Sequence, residues 1–335
     1  MMTMMTNTTA TNTTTMTTND TLTAVPGIRV GHATDFDAAT GCTAILCPPN
    51  TVGGVDVRGG APGTRETALL DPLCGVQVVN AIMLSGGSAY GLASADGAMR
   101  YLEEHSIGYT TGTGHIVPII PAAILFDLAV GRGDIRPDSA MGYAACANAS
   151  ADPVAQGTIG AGTGCRIGAI LGNELATKGG IGSASIDLGD GLIVAALCAV
   201  NAIGDIVGED GQILGGLRLP DGRFAGVLNM LKLMPRPSPP SEGENTVIGV
   251  VATNARLTKT EANKVAQMAH DGLARAVHPA HTMHDGDTLF ALATGEIAAD
   301  VSLIGAYAAE MVAAAIRNGV RSATTLAGVR SWSER

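Results

Sequence analysis

The residues best suited to chemistry meet at Asn245-Thr246. Thr246 carries a hydroxyl that can attack a carbonyl, and a chain cut before it would gain a free α-amine to act as base. Upstream, residues 234–244 form a polar stretch with four prolines, Pro235, Pro237, Pro239 and Pro240. Each lacks a backbone donor and biases the residue before it toward extended conformations. Downstream, Val247-Ile-Gly-Val-Val-Ala252 is an apolar run that reads as a buried strand. A surface segment therefore feeds directly into a core strand at Thr246. The structural alternative is that a β-branched threonine simply suits the start of a strand.

Other groups could serve such a nucleophile. Asn201 closes the apolar run Leu197-Cys-Ala-Val-Asn201, where a buried amide must find partners. It either makes a turn before Gly204 or aims a donor at a developing oxyanion. Asp285 and Asp287 stand just before another apolar run; either one of them is a turn residue, or two buried acids would need a cation such as a free ammonium. His278, His281 and His284, beside those acids, have the side chains of a divalent-metal site and of a metallohydrolase. Pro279 interrupts any helix that would hold them on one face, so no metal is expected. Gly86-Gly-Ser88-Ala-Tyr90 misses the serine-hydrolase elbow, because Tyr90 stands where glycine is required and Gly91 comes one place late. A tight turn with glycine at positive φ is expected there. Gly160-Ala-Gly-Thr-Gly164 fits neither a dinucleotide fingerprint nor a P-loop, so no cofactor is expected. Its amides either cradle an anion or belong to a close-packed turn.

The elements that must position these groups follow from periodicity and punctuation. Short strands are expected at 27–31, 43–47 and 78–84. The third runs through Ser85-Gly-Gly-Ser88 into a helix whose Leu92, Ala95, Met99 and Leu102 share a face. A Gly-rich segment at 157–182 precedes strands at 182–187 and 192–200. Thr258-Lys-Thr-Glu261 is a capping box that opens a helix with Val265, Met268, Ala269, Leu273 and Ala276 on one side. A strand at 289–293 and an Ala-rich helix at 301–318 complete a layered α/β pattern.

Composition narrows the class of protein. Of 335 residues 46% are apolar, but only 3% are aromatic and 45 are glycine. Such a core is built from small aliphatic residues on closely approaching backbones. A net charge of −10 with no basic run argues against nucleic acid. The cysteines, Cys42, Cys47, Cys74, Cys146, Cys165 and Cys198, lack CxxC spacing and read as small buried hydrophobes. Residues 1–23, rich in Thr, Met and Asn, read as a disordered tail rather than a signal peptide. The apolar run 192–200 is too short to span a bilayer. A cytoplasmic protein without membrane partners is expected.

Several motifs occur together from about residue 25 onward. They are Gly31-His-Ala-Thr-Asp35, Val55-Asp-Val-Arg-Gly-Gly-Ala-Pro-Gly-Thr-Arg-Glu66, Leu84-Ser-Gly-Gly-Ser-Ala-Tyr-Gly91 and Gly160-Ala-Gly-Thr-Gly164. Lys178-Gly-Gly-Ile-Gly182, Asn245-Thr246 and His284-Asp-Gly-Asp-Thr-Leu-Phe290 follow. None is specific alone, but the set resembles the self-processing family of DmpA-type L-aminopeptidase/D-esterases, β-peptidyl aminopeptidases and nylon-oligomer hydrolases. The resemblance implies a four-layer αββα sandwich of the N-terminal-nucleophile kind, working without metal or cofactor. It implies one catalytic domain at 24–335, cut into an α chain, 24–245, and a β chain, 246–335, with 233–245 as a processed linker. Tetramers of αβ units are usual in that family.

Residue roles come from the same likeness. Thr246 resembles the family's nucleophile and new N-terminus, and Asn201 the residue that supports the oxyanion or the nucleophile. Tyr90 falls where several members have a tyrosine lining the site. Asp285 and Asp287 match the pair of the nylon-oligomer branch, whereas peptidase members carry Ser and Glu. Lys178 resembles the lysine of the peptidase branch, while the nylon-oligomer enzymes use one nearer the position of Ala169. The implied activity is an aminopeptidase or amidase for small peptides, amino-acid amides or linear amides. An acyltransferase of related fold, a metallohydrolase and a non-catalytic assembly protein are the alternatives.

Overall fold

Along the strand Thr246–Ala255, successive side chains leave in opposite directions, and that alternation builds two cores at once. Ile248, Val250 and Ala252 join a cluster with Ile45, Ile82, Leu84, Leu197 and Phe290. Val247, Val251 and Ala255 join another with Val265, Leu273, Ile304 and Val312. The first cluster lies between two sheets; the second lies between one sheet and two helices. The computed structural model that shows this describes residues 19–234 and 245–334.

The first sheet has the strand order Arg29–Asp35, Thr40–Leu46, Ala81–Ser85, Ala122–Ile124, Thr64–Arg65. The second has the order Ile181–Asp187, Ile193–Asn201, Thr246–Ala255, Thr288–Ile297, Val52–Val57. Five helices are named here α1 (Ser94–Glu104), α2 (Ser139–Ala147), α3 (Val227–Leu233), α4 (Lys259–Ala276) and α5 (Val301–Arg321). Helices α1 and α2 cover the outer face of the first sheet through Ala95, Ala98, Leu102, Ala145 and Cys146. Helices α4 and α5 cover the outer face of the second. The result is the αββα sandwich.

Small residues allow these layers to approach closely. A Cβ added at Gly182 would come within 2.0 Å of Ala315 O, and one at Gly272 within 1.9 Å of Ala309 O. Helix α4 begins with both halves of the capping box: Thr258 Oγ1 accepts from Glu261 N–H, and the Glu261 carboxylate accepts from Thr258 N–H. Among the described residues, no helix is long and apolar enough to cross a membrane.

Several boundaries differ from expectation. Residues 19–23 do not belong to a tail, because Leu22 is fully buried in the inter-sheet core and its N–H donates to Ser183 Oγ. Residues 1–18 and linker residues 235–244 lie outside the described part. The strand Val52–Val57 and helix α2 add to the expected elements. Helix α2 is capped by Asp138, whose side chain accepts from Met141 N–H.

Candidate active site

Two strands carry the central pair. Asn201 ends the strand Ile193–Asn201, Thr246 begins the strand Thr246–Ala255, and the antiparallel register sets them opposite each other. Neither side chain reaches bulk water: Thr246 is 4% exposed and Asn201 is 0% exposed. Thr246 Oγ1 lies against the Asn245 carbonyl oxygen and donates to it. Gly286 N–H donates to the same oxygen at 3.0 Å, while Asn245 N–H donates to His284 O at 3.1 Å. The Asn245-Thr246 carbonyl is therefore approached by a hydroxyl and by a backbone donor.

The acids arrive on the neighbouring strand. Thr288–Ile297 runs parallel to Thr246–Ala255, with Thr288 opposite Ile248, so the turn before it stands level with Asn245-Thr246. Asp287 Oδ1 accepts Val247 N–H at 2.8 Å. Asp287 Oδ2 accepts His281 N–H at 3.1 Å and lies 2.8 Å from His281 Nδ1. Asp285 Oδ2 accepts both the N–H and the hydroxyl of Thr282, each at 2.7 Å. Burial, then the neighbouring Asp287 carboxylate, push the Asp285 carboxyl up to about 6. The partners of the two buried acids in the described structure are N–H groups, a hydroxyl and an imidazole rather than an ammonium.

Residues 58–61 clamp this turn from the other side. Arg58 N–H donates to Asp287 O, Gly60 N–H to Thr282 O, and Ala61 N–H to Asp285 O. Gly59 permits the approach, since an added Cβ would stand 2.2 Å from Asp285 O and 2.4 Å from Asp287 N. The glycine-rich motif after Val55 thus places the carboxylates.

Asn201 bridges two loops. Its Oδ1 accepts Arg166 N–H and its Nδ2 donates to Phe126 O, both at 2.9 Å. One amide hydrogen is left over after these contacts. Arg166 pairs in register with Lys178, which is fully buried. Lys178 Nζ donates to Gly162 O at 3.1 Å and Gly179 O at 2.7 Å. Burial lowers its ammonium to about 8, against the opposing pull of Cys165 and Asp127. Among the described residues no hydrogen bond joins Lys178 to Thr246; its strand partner Arg166 is the residue whose N–H Asn201 accepts.

The remaining candidates divide. The amides of Gly160 and Ala161 donate to the hydroxyls of Thr34 and Thr43, and those of Gly162, Thr163 and Cys165 to nearby carbonyls. That loop is a close-packed turn. Gly87 has φ +82° and Ser88 φ +54°, in the expected tight turn. Tyr90 is 63% exposed, with the Arg136 guanidinium 4.1 Å from its ring centroid. Among the described residues, no hydrogen bond joins Tyr90 to Thr246. His278 and His284 are exposed while His281 turns to Asp287, so the three histidines do not converge. Among the described residues, no group of three or more His, Cys, Asp or Glu side chains is placed to hold a metal ion.

Two residues escaped the sequence reading. Asp127 is 2% exposed and accepts Thr40 Oγ1 and Gly87 N–H, each at 2.7 Å. It fixes the Gly86-Gly87 turn beside the Phe126 carbonyl that holds Asn201, and burial raises its carboxyl. Its only signal was a lone acid within the apolar run 119–130. His281 was weighed as a ligand, not as the partner of Asp287.

Comparison with known proteins agrees with this architecture. A family model described as peptidase family S58 matches residues 20–333. An uncharacterized aminopeptidase of Mycobacterium tuberculosis is 44% identical over 347 residues, covering 93% of this chain and 97% of its own. A 6-aminohexanoate-oligomer endohydrolase of Kocuria sp. is 33% identical over 275 residues, covering 81% of this chain and 74% of its own. The solved L-aminopeptidase D-Ala-esterase/amidase of Ochrobactrum anthropi, a variant of the Ntn hydrolase fold, superposes with a TM-score of 0.68 at 21% identity. That superposition covers 91% of this chain and 86% of the other, and it shows the fold. The chain is a hydrolase of the aminopeptidase and amidase type and belongs to peptidase family S58.

Proposed function

We propose that the chain cuts itself between Asn245 and Thr246, and that the freed Thr246 then hydrolyses amide or ester bonds of small amine-bearing substrates. The observation that carries this reading is the Asn245 carbonyl, which receives both the Thr246 hydroxyl and Gly286 N–H. In the precursor the Thr246 nitrogen is an amide and cannot act as a base. Its Oγ1 adds to the Asn245 carbonyl carbon, and the hydroxyl proton passes to the Thr246 nitrogen as the C–N bond breaks. Water then hydrolyses the ester, leaving an Asn245 carboxylate and a free Thr246 amine. Gly286 N–H and the leftover Asn201 amide hydrogen are the donors for the developing oxyanion.

In the mature enzyme the amine takes the hydroxyl proton while Oγ1 attacks the substrate carbonyl. The leaving amine receives that proton, and water releases the acyl group. An α-amine, ordinarily near pKa ~8, is suited to this near neutral pH. Asp285 and Asp287 support a role in holding that amine or a substrate ammonium. Lys178 acts through the Arg166–Asn201 contacts, and Tyr90 lines the outer approach. The working unit is an α chain that ends at Asn245 and a β chain, 246–335, assembled as a homo-oligomer of αβ units in the cytoplasm. All six cysteines are free, which supports a reducing compartment.

Intact-mass analysis should resolve chains 1–245 and 246–335, and Thr246→Ala should leave one uncut chain. A fully active wild type that stays uncut would sink the reading. A panel of amino-acid p-nitroanilides, amides, esters and ω-amino-acid oligomers identifies the substrate.

A further inference from the structure

The Asp287 carboxylate is gripped on both oxygens. Val247 N–H occupies Oδ1, and the His281 backbone N–H and ring Nδ1 occupy Oδ2. With Asp287 ionised, that ring contact requires a proton on His281 Nδ1. His281 Nε2 is buried with no partner among the described residues, so a second ring proton would find no acceptor. Helix α4 presents His270 edge-on to the same ring, with centroids 4.9 Å apart and planes at 68°. His270 is lowered by burial to about 4, so this neighbour is neutral at working pH. Behind it the strand Val52–Val57 supplies Asp56, 3.8 Å from His270 Nε2 and itself paired with Arg58. On the loop itself His278 and His284 are exposed, which leaves Asp285 and Asp287 as the acids facing His281.

The two carboxylates are unequally served. Among the described residues, Asp285 has the two donors of Thr282, both on one oxygen, whereas Asp287 is engaged on both. We propose that His281 is a positioning residue for this pair, holding Asp287 as its ionised member and leaving Asp285 as the member that takes up a proton. The proposal rests on Thr246 being the self-cleaving nucleophile. Val247 N–H is one peptide from the amine that cleavage releases, so an ionised Asp287 stands where that amine's charge appears. Burial and Asp287 raise Asp285 to about 6, consistent with its holding the shared proton.

The test uses substitutions that both suit the backbone. His281 has φ +58°, a conformation that Gly and Asn accept. His281→Gly removes the ring donor, whereas His281→Asn offers an amide N–H near the position of Nδ1. The readout is the pH–rate profile of self-cleavage in freshly made full-length precursor, followed by that of mature turnover. The acid limb of His281→Gly should move up by about one pH unit, with His281→Asn returning toward the wild type. A purely structural role would lower rates at every pH and leave the limb in place, and that result overturns the proposal. Should His281→Gly fail to fold, ¹⁵N NMR of the uncut Thr246→Ala precursor decides the matter. Protonated Nδ1 with bare Nε2 at neutral pH supports the proposal, and the opposite tautomer defeats it. A wild type that never cuts at Asn245-Thr246 would remove the function reading instead, while the NMR result would still decide what His281 does.

Discussion

Asn201 and Thr246 face each other across two strands, yet their side chains carry different burdens. Thr246→Ala removes a hydroxyl whose partner is the carbonyl to be attacked, so it should abolish cleavage with little effect on folding. Asn201→Ala strands Arg166 N–H and Phe126 O in the interior. Each unsatisfied buried group costs about 1–3 kcal/mol, so Asn201→Ala should weaken the fold as well as slow the cut. Urea unfolding in a Thr246→Ala background isolates the stability effect, because that chain cannot process. An unchanged midpoint there would show that Asn201 holds no loops together. Lys178 makes a pH-dependent prediction of definite sign. Its ammonium is lowered from 10.5 to about 8 by burial, so between those values the unfolded chain binds more protons than the folded one. Stability contributed by Lys178 therefore rises with pH across that window, and below it the buried charge is a net cost. The unfolding free energy of the precursor, relative to Lys178→Met, should shift in favour of lysine as pH climbs from about 8 to about 10.5. A difference that stays flat across the window would remove the buried ammonium from the account.

At the scale of elements, the site depends on turns that glycine makes compact. A Cβ at Gly59 would meet backbone atoms of Asp285 and Asp287, which cannot yield without moving both acids. Gly59→Ala should slow self-cleavage by about a hundredfold, the typical cost of a misplacement near 1 Å. Gly75→Ala, with nothing within 4 Å of the added Cβ, is the matched control and should cut at the wild-type rate, both followed by gel densitometry. This contrast also shows what could be read from the chain. The capping box of α4, the apolar face of α1 and the strands around Leu197 and Val250 were legible, because each is encoded within a few residues. Asn245-Thr246, Asn201 and the two acids could be singled out by type and by resemblance. The clamp of residues 58–61 on Asp285 was not legible, since it joins segments more than 200 residues apart. Asp127 was hidden because its partners Thr40 and Gly87 lie 87 and 40 residues away. The His281–Asp287 pairing lies within one short loop, whose irregular backbone carries no periodic signal. Leu22 was misassigned because the polar residues around it outweigh one buried leucine in any local composition.

Across the whole molecule, the proposed cut falls where the fold can withstand it. The strands Thr246–Ala255 and Thr288–Ile297 lie side by side in the second sheet, flanked by Ile193–Asn201 on one side and Val52–Val57 on the other. Both flanking strands precede the cut, so the β chain is enclosed by ladders to the α chain. Helices α4 and α5 add apolar burial across the same boundary, with α5 packed on Ile181–Asp187. Freeing residue 246 from residue 245 removes one covalent bond at the end of a strand and leaves those ladders intact. The two chains should therefore remain one particle in native mass spectrometry after complete processing. In urea they should part only in the transition that also abolishes the circular dichroism signal, because separation requires opening the central sheet. Chains that came apart while secondary structure persisted would contradict this topology. Precursor and mature forms should then differ in chemistry, through a new amine beside Asp287, far more than in architecture.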